Sequence, residues 1–294
     1  MHLPRFDYHA PFSLEEACQI IGDLREDARI LAGGTDLLVS MRRGLASPKN
    51  LVTIGRIEEL KAKDHSGGHL RLGAGLTVTD LAQSHEVKES FSSLRAAASS
   101  LGSPLIRNLA TIGGNLVTAR PAADLPVPFI AHNASILLKK SLGERTVTLD
   151  SFFQGPGETA IEPNEILTEI MIEKSPPYSG CGYLKLGARR TLVISTVNVA
   201  AFLCLEEREG PIKSARVVMG AVAPTPMRSA SAENILMGER PTEALFAKAG
   251  EAAAADSKPI DDFRGSAEYR RAMVAVLVRR ALRFALSTAR ENDY

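Results

Sequence analysis

Two glycine pairs set in the same local grammar constrain this chain more than any other feature. Leu31-Ala-Gly-Gly-Thr-Asp36 sits between a short apolar run and an amphipathic one, and Thr111-Ile-Gly-Gly-Asn115 follows a polar loop and precedes Leu116-Val-Thr-Ala. Glycine reaches positive φ and has no Cβ, so successive amides can turn into one concavity and approach an anion closely. Thr and Asn add side-chain donors. Where such a loop opens a helix, free N-terminal amides and the axial dipole favour phosphate further. Two loops of this kind suit a pyrophosphate. The alternative is that both are ordinary turns, since glycine commonly punctuates loops.

The nearest rival motif, Gly73-Ala-Gly75-Leu-Thr-Val78, follows a strand pattern and precedes a helix pattern, as a dinucleotide fingerprint should. Its third position is Val78, too large for close helix–strand packing, and no acidic residue closes a strand about 20 positions later, so a Rossmann site is not expected. Cys18, Cys181 and Cys204 stand far apart with no CxxC, so the chain alone assembles neither a zinc knuckle nor an iron–sulfur cluster. The six histidines show no HExxH or paired spacing. Any redox chemistry here calls for a bound organic cofactor.

At 294 residues the chain has room for about two domains. Its 35 basic and 34 acidic residues give a net charge of +1, which offers no global field for nucleic acid or an anionic membrane. No uncharged apolar run approaches the ~20 residues of a membrane span, so none is expected. With an odd cysteine count and no apolar leader after Met1, the expected address is the cytoplasm.

Along the chain, Ser13-Leu-Glu-Glu16 reads as a capping box opening a helix that Gly22 stops. Residues 29–32 and 51–54 read as parallel strands joined by a helix over 36–41, a small βαβ unit. Leu70 and Leu72 alternate with polar residues, Thr77-Val-Thr-Asp80 is a second capping box, and residues 90–101 read as a helix. Residues 136–140, 145–149 and 166–172 are strand candidates. The punctuated Ser175-Pro-Pro-Tyr-Ser-Gly180 marks a domain boundary, followed by strands over 182–187, 196–206 and 215–223 and by helices from about Ser231. In the last helix, Met273, Val276, Leu277, Phe284 and Ala285 form an expected core stripe. Arg270, Arg271, Arg279, Arg280 and Arg283 form a solvated basic face.

Asp124, in Ala122-Ala-Asp-Leu-Pro-Val-Pro128, could accept hydrogen bonds from ribose or ribityl hydroxyls, or simply cap the turn before Pro126. Lys185, in Tyr183-Leu-Lys-Leu-Gly-Ala-Arg-Arg190, reads by default as a solvated charge on an alternating strand.

Taken together these pieces resemble a known family. Ala32-Gly-Gly-Thr-Asp-Leu-Leu38, Ala110-Thr-Ile-Gly-Gly-Asn-Leu116, Pro121-Ala-Ala-Asp124, Lys185-Leu-Gly-Ala-Arg-Arg190, Gly220-Ala-Val-Ala-Pro-Thr-Pro226 and Gly265-Ser-Ala-Glu-Tyr-Arg-Arg271 occur in the order found in the FAD-binding medium subunits of the molybdenum hydroxylases. That group includes xanthine dehydrogenase, carbon monoxide dehydrogenase and nicotinate dehydrogenase. The resemblance implies an α+β chain. Residues 1–175 would form a p-cresol methylhydroxylase-type FAD-binding domain, with subdomains of about 1–56 and 57–175. Residues 180–290 would form a C-terminal domain of small antiparallel sheet plus helices.

The resemblance also implies a site. Leu31, Ala32, Gly33, Gly34, Thr35, Asp36 and Leu37 would cradle the diphosphate together with Thr111, Ile112, Gly113, Gly114 and Asn115. Leu101, Thr118, Asp124, a backbone group near Leu167, and Lys185 would make the other cofactor contacts. Molybdopterin would reside in a large partner subunit and [2Fe–2S] clusters in a small one, in a heterotrimer able to pair into a dimer. Electrons would leave the flavin for NAD⁺ or another acceptor, and no side-chain acid or base is demanded.

Two departures from relatives matter. The cysteine-rich insert of the benzoyl-CoA-reducing branch is missing, and Thr191-Leu-Val-Ile194 holds no aromatic residue where some relatives place one over the flavin. With no His or Cys in either loop, the FAD is expected to be non-covalent. The competing readings are a self-sufficient flavin oxidoreductase of the same fold and a flavin-free assembly subunit.

Overall fold

A computed structural model describes residues 3–189 and 192–292. Arg190 and Thr191, which end one of the motifs above and begin another, lie outside the described residues, as do the first two and last two residues of the chain.

The N-terminal lobe is a parallel sheet of β1 (Asp7–His9), β2 (Ala28–Leu31) and β3 (Asn50–Thr53), in the order β1-β3-β2. Its crossovers carry α1 (Leu14–Leu24) and α2 (Leu37–Arg42). Ser13 caps α1 by accepting the Glu16 amide at 3.1 Å, but the Glu16 carboxylate accepts from the Phe12 amide at 2.8 Å, one residue upstream of the expected capping box. Gly22 does not stop α1. Leu14, Ala17, Cys18 and Ile21 bury one face of the helix, and that packing outweighs the ~1 kcal/mol propensity cost of a single glycine.

The central lobe is a five-stranded antiparallel sheet in the order β4-β5-β10-β6-β7. It is built from β4 (Lys63–Ser66), β5 (His69–Gly73), β6 (Ser135–Lys139), β7 (Glu144–Thr148) and, after the β8 (Phe153–Gly155) and β9 (Glu158–Thr159) hairpin, β10 (Ile166–Glu173). Between β5 and β6 run α3 (Val78–Gln83), α4 (His85–Ser90), α5 (Ser92–Ser100), α6 (Pro104–Arg107), α7 (Ile112–Val117) and α8 (Pro126–Ala131); α9 (Leu149–Phe152) follows β7. The Thr77 capping box of α3 is complete, with Thr77 Oγ1 accepting the Asp80 amide at 3.0 Å and the Asp80 carboxylate accepting the Thr77 amide at 2.9 Å.

The C-terminal sheet runs β11 (Ser179–Leu186), β12 (Val197–Leu205), β13 (Ile212–Gly220) and β14 (Met227–Arg228), each antiparallel to the next. Strand side chains alternate between faces, and here the two faces join different cores. Val197, Val199, Ala201 and Leu203 pack under α10 (Ala230–Leu236), α11 (Glu243–Asp256) and α12 (Ala267–Glu291). Cys181, Tyr183, Ala200, Phe202 and Cys204 join the core of the central lobe. Gly180 and Gly182 let α12 lie directly on β11, since a Cβ at either would stand 2.2 or 2.3 Å from a helix carbonyl.

The buried stripe of α12 is Val274, Leu277, Val278, Ala281, Leu282 and Ala285. Phe284, expected in that stripe, is exposed, and Arg270, expected on the solvated face, is buried. Arg270 donates to the Asp262 carboxylate and, at 3.0 Å, to the Ala221 carbonyl, and these partners compensate burial of its charge. Among the described residues, no helix is long and apolar enough to cross a membrane.

Candidate functional site

A cleft opens between the N-terminal and central lobes, with both glycine loops on its walls. From the first lobe come Ile30, Ala32, Gly33, Gly34, Thr35, Asp36, Leu37 and Ile54; from the second come Ala74, Leu101, Ile106, Ala110, Thr111, Gly113, Gly114, Asn115, Val117, Thr118, Ile161, Ile166 and Leu167. Thirteen of the residues expected from the sequence are thus gathered at one place. Four are not: Leu31, Ile112, Asp124 and Lys185 stand behind the walls.

The first loop links β2 to α2. Gly34 takes a φ of +70°, a region an L side chain rarely occupies. The chain then turns into α2, whose first bonds run from the Leu38 amide to the Gly34 carbonyl (3.2 Å) and from the Ser40 amide to the Asp36 carbonyl (2.9 Å). Among the described residues, no acceptor is paired with the backbone amides of Gly33, Gly34, Thr35 or Asp36. Four consecutive free donors on a cleft wall are an arrangement suited to an anion.

The second loop differs from what its sequence suggests. Its amides are taken by the protein: Ile112 donates to Leu76 (2.9 Å), Gly113 to Ala74 (2.9 Å), Gly114 to Thr111 Oγ1 (3.0 Å) and Asn115 to the Thr111 carbonyl (3.0 Å). Thr111 is the N-cap of α7, and the loop is zipped onto the segment after β5. What it offers the cleft is side chains. The Oδ1 of Asn115 is buried without a hydrogen-bond partner, an expensive condition for a polar atom unless a ligand supplies the donor.

The glycines themselves serve backbone packing. A Cβ on Gly113 would lie 2.7 Å from the Ala74 Cβ, and one on Gly114 would lie 2.8 Å from Thr111 Oγ1. The motif set aside as a dinucleotide fingerprint therefore matters in another way. Ala74 is the seat of the second loop, and Gly73 and Gly75 press on the Leu60 carbonyl, where a Cβ would stand 2.3 or 2.9 Å away.

Asp124 neither caps a turn nor lines the cleft. Its carboxylate accepts from Lys185 Nζ (2.7 Å), Ser195 Oγ (2.7 Å), Tyr183 Oη (3.1 Å) and Asn198 Nδ2 (3.3 Å). Lys185 is correspondingly not solvated, with 8% of its side chain exposed, and it also donates to the Ser100 carbonyl at 3.1 Å. Strand periodicity explains the meeting: Tyr183 and Lys185 share a face of β11, opposite Asn198 on β12, and that face abuts the central lobe. Burial, and the Asp124 charge beside it, push the Tyr183 hydroxyl well above the usual phenol range. Ser100 precedes Leu101 in the cleft wall, so this network braces the wall from behind.

The sequence reading missed Ile30, Ile54, Ile106, Val117, Ile161 and Ile166, which give the cleft its apolar lining. Ile161 comes from the turn before β10 and Ile166 opens that strand, with Glu165 between them holding the turn. That carboxylate, 1% exposed, accepts from Arg145 at 2.7 and 2.8 Å and from the Glu162 amide at 2.8 Å. No local pattern marks these residues, because the cleft is assembled from segments far apart in the chain. Among the described residues, no group of acidic, His or Cys side chains could hold a metal ion.

A glycine-looped, largely apolar cleft between a small parallel lobe and an antiparallel one defines the class: a protein that holds a ligand combining an anionic group with an apolar ring system. Residues 4–174 match the family model for the FAD binding domain in molybdopterin dehydrogenase, and residues 182–285 match that for the CO dehydrogenase flavoprotein C-terminal domain. The chain is 36% identical to the carbon monoxide dehydrogenase medium chain of Hydrogenophaga pseudoflava, over 95% of this chain and 96% of that one. It is 32% identical to the nicotine 6-hydroxylase medium subunit of Paenarthrobacter nicotinovorans, over 96% and 98%. Among solved structures, carbon monoxide dehydrogenase from Hydrogenophaga pseudoflava superposes with a TM-score of 0.93 at 36% identity, covering 98% of this chain and 99% of that one.

The chain therefore belongs to the family of FAD-binding medium subunits of the molybdenum hydroxylases. The residues present fit the cofactor, with free amides for phosphate, an unpaired Asn115 oxygen for a donor, and apolar walls for ring systems.

Proposed function

We propose that this chain is the electron-transfer subunit of a cytoplasmic molybdenum hydroxylase, binding FAD non-covalently in the cleft. Bound FAD would supply the exchange between single electrons, arriving from [2Fe–2S] clusters of a small partner subunit, and two-electron delivery to NAD⁺ or another acceptor. A large molybdopterin subunit would act on the substrate, in a heterotrimer able to pair into a dimer. The names of the relatives, medium chain and medium subunit, support a multi-subunit assembly.

The observation that carries the reading is the run of unpaired amides from Gly33 to Asp36 in the same cleft as the unpaired Asn115 Oδ1. The amides bind and orient the diphosphate, and Asn115 accepts from a hydroxyl or amino group of the cofactor. Leu101, Ile161, Ile166 and Leu167 exclude water from the ring system. Asp124 and Lys185 hold the wall that carries Leu101, while Leu31 and Ile112 anchor the two loops. The assignment divides the chain into a cofactor-binding domain over 1–175 and a C-terminal domain over 180–290.

The purified chain, titrated with FAD and followed by its visible spectrum, is expected to turn yellow and to saturate. A chain that takes up no FAD overturns the cofactor assignment. Purification from the native cell is expected to bring down molybdenum and [2Fe–2S] in stoichiometric partners, and an isolated chain that oxidises substrate unaided overturns the subunit assignment.

A further inference from the structure

Among the described residues, none of the side chains lining the cleft is a cation, and the one charged residue there, Asp36, is an anion. A diphosphate entering there meets a like charge at the rim, which disfavours binding unless a cation answers it. Arg120 meets that need. Its Nε lies 3.7 Å from Asp36 Oδ1, with the two side chains 58% and 50% exposed. The pair spans the two halves of the site, because Asp36 ends the first glycine loop and Arg120 follows the helix opened by the second. At that separation it is a loose ion pair rather than a formed hydrogen bond, so exchanging one anion for another costs little.

The backbone sets Arg120 in place. Ala119, just before it, has a φ of +46°, in the left-handed region that residues other than glycine rarely adopt. Two backbone bonds hold it there: its amide donates to the Leu116 carbonyl at 3.0 Å, and its carbonyl accepts from the Gly157 amide at 2.9 Å. Ala119 is buried and the next side chain stands in solvent. Strain kept at such a turn, when a glycine would relieve it, is characteristic of binding sites.

We infer that Arg120 is the counter-cation of the FAD diphosphate, leaving Asp36 for a phosphoryl oxygen when the cofactor binds. This inference rests on the assignment of the cleft to FAD. A guanidinium presents a planar fork of donors that matches phosphate oxygens. The amides of residues 33–36 supply hydrogen bonds to the diphosphate, and Arg120 supplies the charge they lack. Without phosphate, Asp36 keeps the guanidinium at the rim.

The test is a flavin-fluorescence titration of FAD, and of riboflavin as the phosphate-free probe, at low and high salt. The proteins compared are the parent, Arg120→Ala, Arg120→Lys and Asp36→Asn. Arg120→Ala is expected to weaken FAD about tenfold, the scale of one exposed charge-assisted contact, and to flatten the salt dependence while leaving riboflavin unchanged. Arg120→Lys is expected to recover part of the loss, and Asp36→Asn to tighten FAD. A parent that binds neither flavin overturns the assignment of the cleft. A parent that binds FAD no more tightly than Arg120→Ala overturns the role of Arg120 alone, as does an equal weakening of FAD and riboflavin.

Discussion

A Cβ built on Gly33 would stand 1.8 Å from the carbonyl oxygen of Leu109. The first glycine loop is thus seated on the backbone leading into the second, and the missing side chain makes room for protein rather than for phosphate. Gly33→Ala is therefore expected to damage the apoprotein as well as cofactor binding. Overpacking of this kind costs about 1–3 kcal/mol. Thermal unfolding without flavin checks it: a substituted protein that melts with the parent yet binds FAD poorly would return the missing Cβ to the phosphate position.

Asp124 and Lys185 form a buried ion pair between the central lobe and the C-terminal sheet, 7% and 8% exposed. Removing either partner leaves the other to its remaining contacts, and these are unequal. Without Lys185, the carboxylate keeps the Ser195, Tyr183 and Asn198 donors. Without Asp124, the ammonium keeps only the Ser100 carbonyl. Asp124→Ala is expected to cost about 3–5 kcal/mol and Lys185→Met distinctly less. Equal urea midpoints for the two variants would contradict this account of the network.

How far the site could be read in advance follows from where its residues lie. The loops at Gly33 and Gly113 are contiguous motifs and were legible, as was the parallel pairing of the strands around the first, since a helical crossover leaves little choice. The state of the second loop's first two amides, those of Ile112 and Gly113, was not legible, because they are taken by Leu76 and Ala74, some forty residues upstream. Lys185 looked solvated for a similar reason. Alternation gave its face, but not that a second lobe would cover it. β4, Lys63-Asp-His-Ser66, escaped because an exposed edge strand has no apolar alternation to show. Gly22 and Arg270 mark the other limit, where tertiary packing overrode a local signal.

The Glu165–Arg145 fork should make the cleft wall sensitive to acid. Burial pushes the Glu165 carboxyl up, but the hydrogen bonds from Arg145 and the Glu162 amide outweigh it and hold the group below the usual range. In the unfolded chain a Glu takes its proton near pH 4.3. The stabilisation is therefore present above about pH 4.3 and lost as the pH falls through the lower folded value. Arg145 is 40% exposed, which screens the pair and keeps the effect modest. Glu165→Gln is expected to lower stability at neutral pH and to decline less steeply below pH 4.3. Urea midpoints that fall in parallel for both proteins would refute the assignment.

His132 carries a sensitivity of the same sign, at milder pH. The ring ends α8, packed edge-on to Phe91 and Phe202 at 5.1 and 6.0 Å, with Nε2 hydrogen-bonded to Ser93 Oγ at 2.8 Å. Burial chiefly, and then the nearby Arg216 charge, push its pKa down to about 3. An unfolded histidine titrates near 6.5, so between about pH 6.5 and 3 the unfolded chain binds a proton that the folded chain refuses. Stability is full above the higher value and falls through that window, by about 2 kcal/mol between pH 7 and pH 5. The element at stake is the contact of α8 with the C-terminal sheet, where Arg216 donates to the Ala131 carbonyl at 2.5 Å and lies over the Phe202 ring. His132→Gln keeps an acceptor for Ser93 and has no proton to gain. Its stability is expected to change far less over that window than the parent's, even if lower at pH 7. Parallel pH profiles for the two proteins in urea unfolding would show that His132 is not the group responsible.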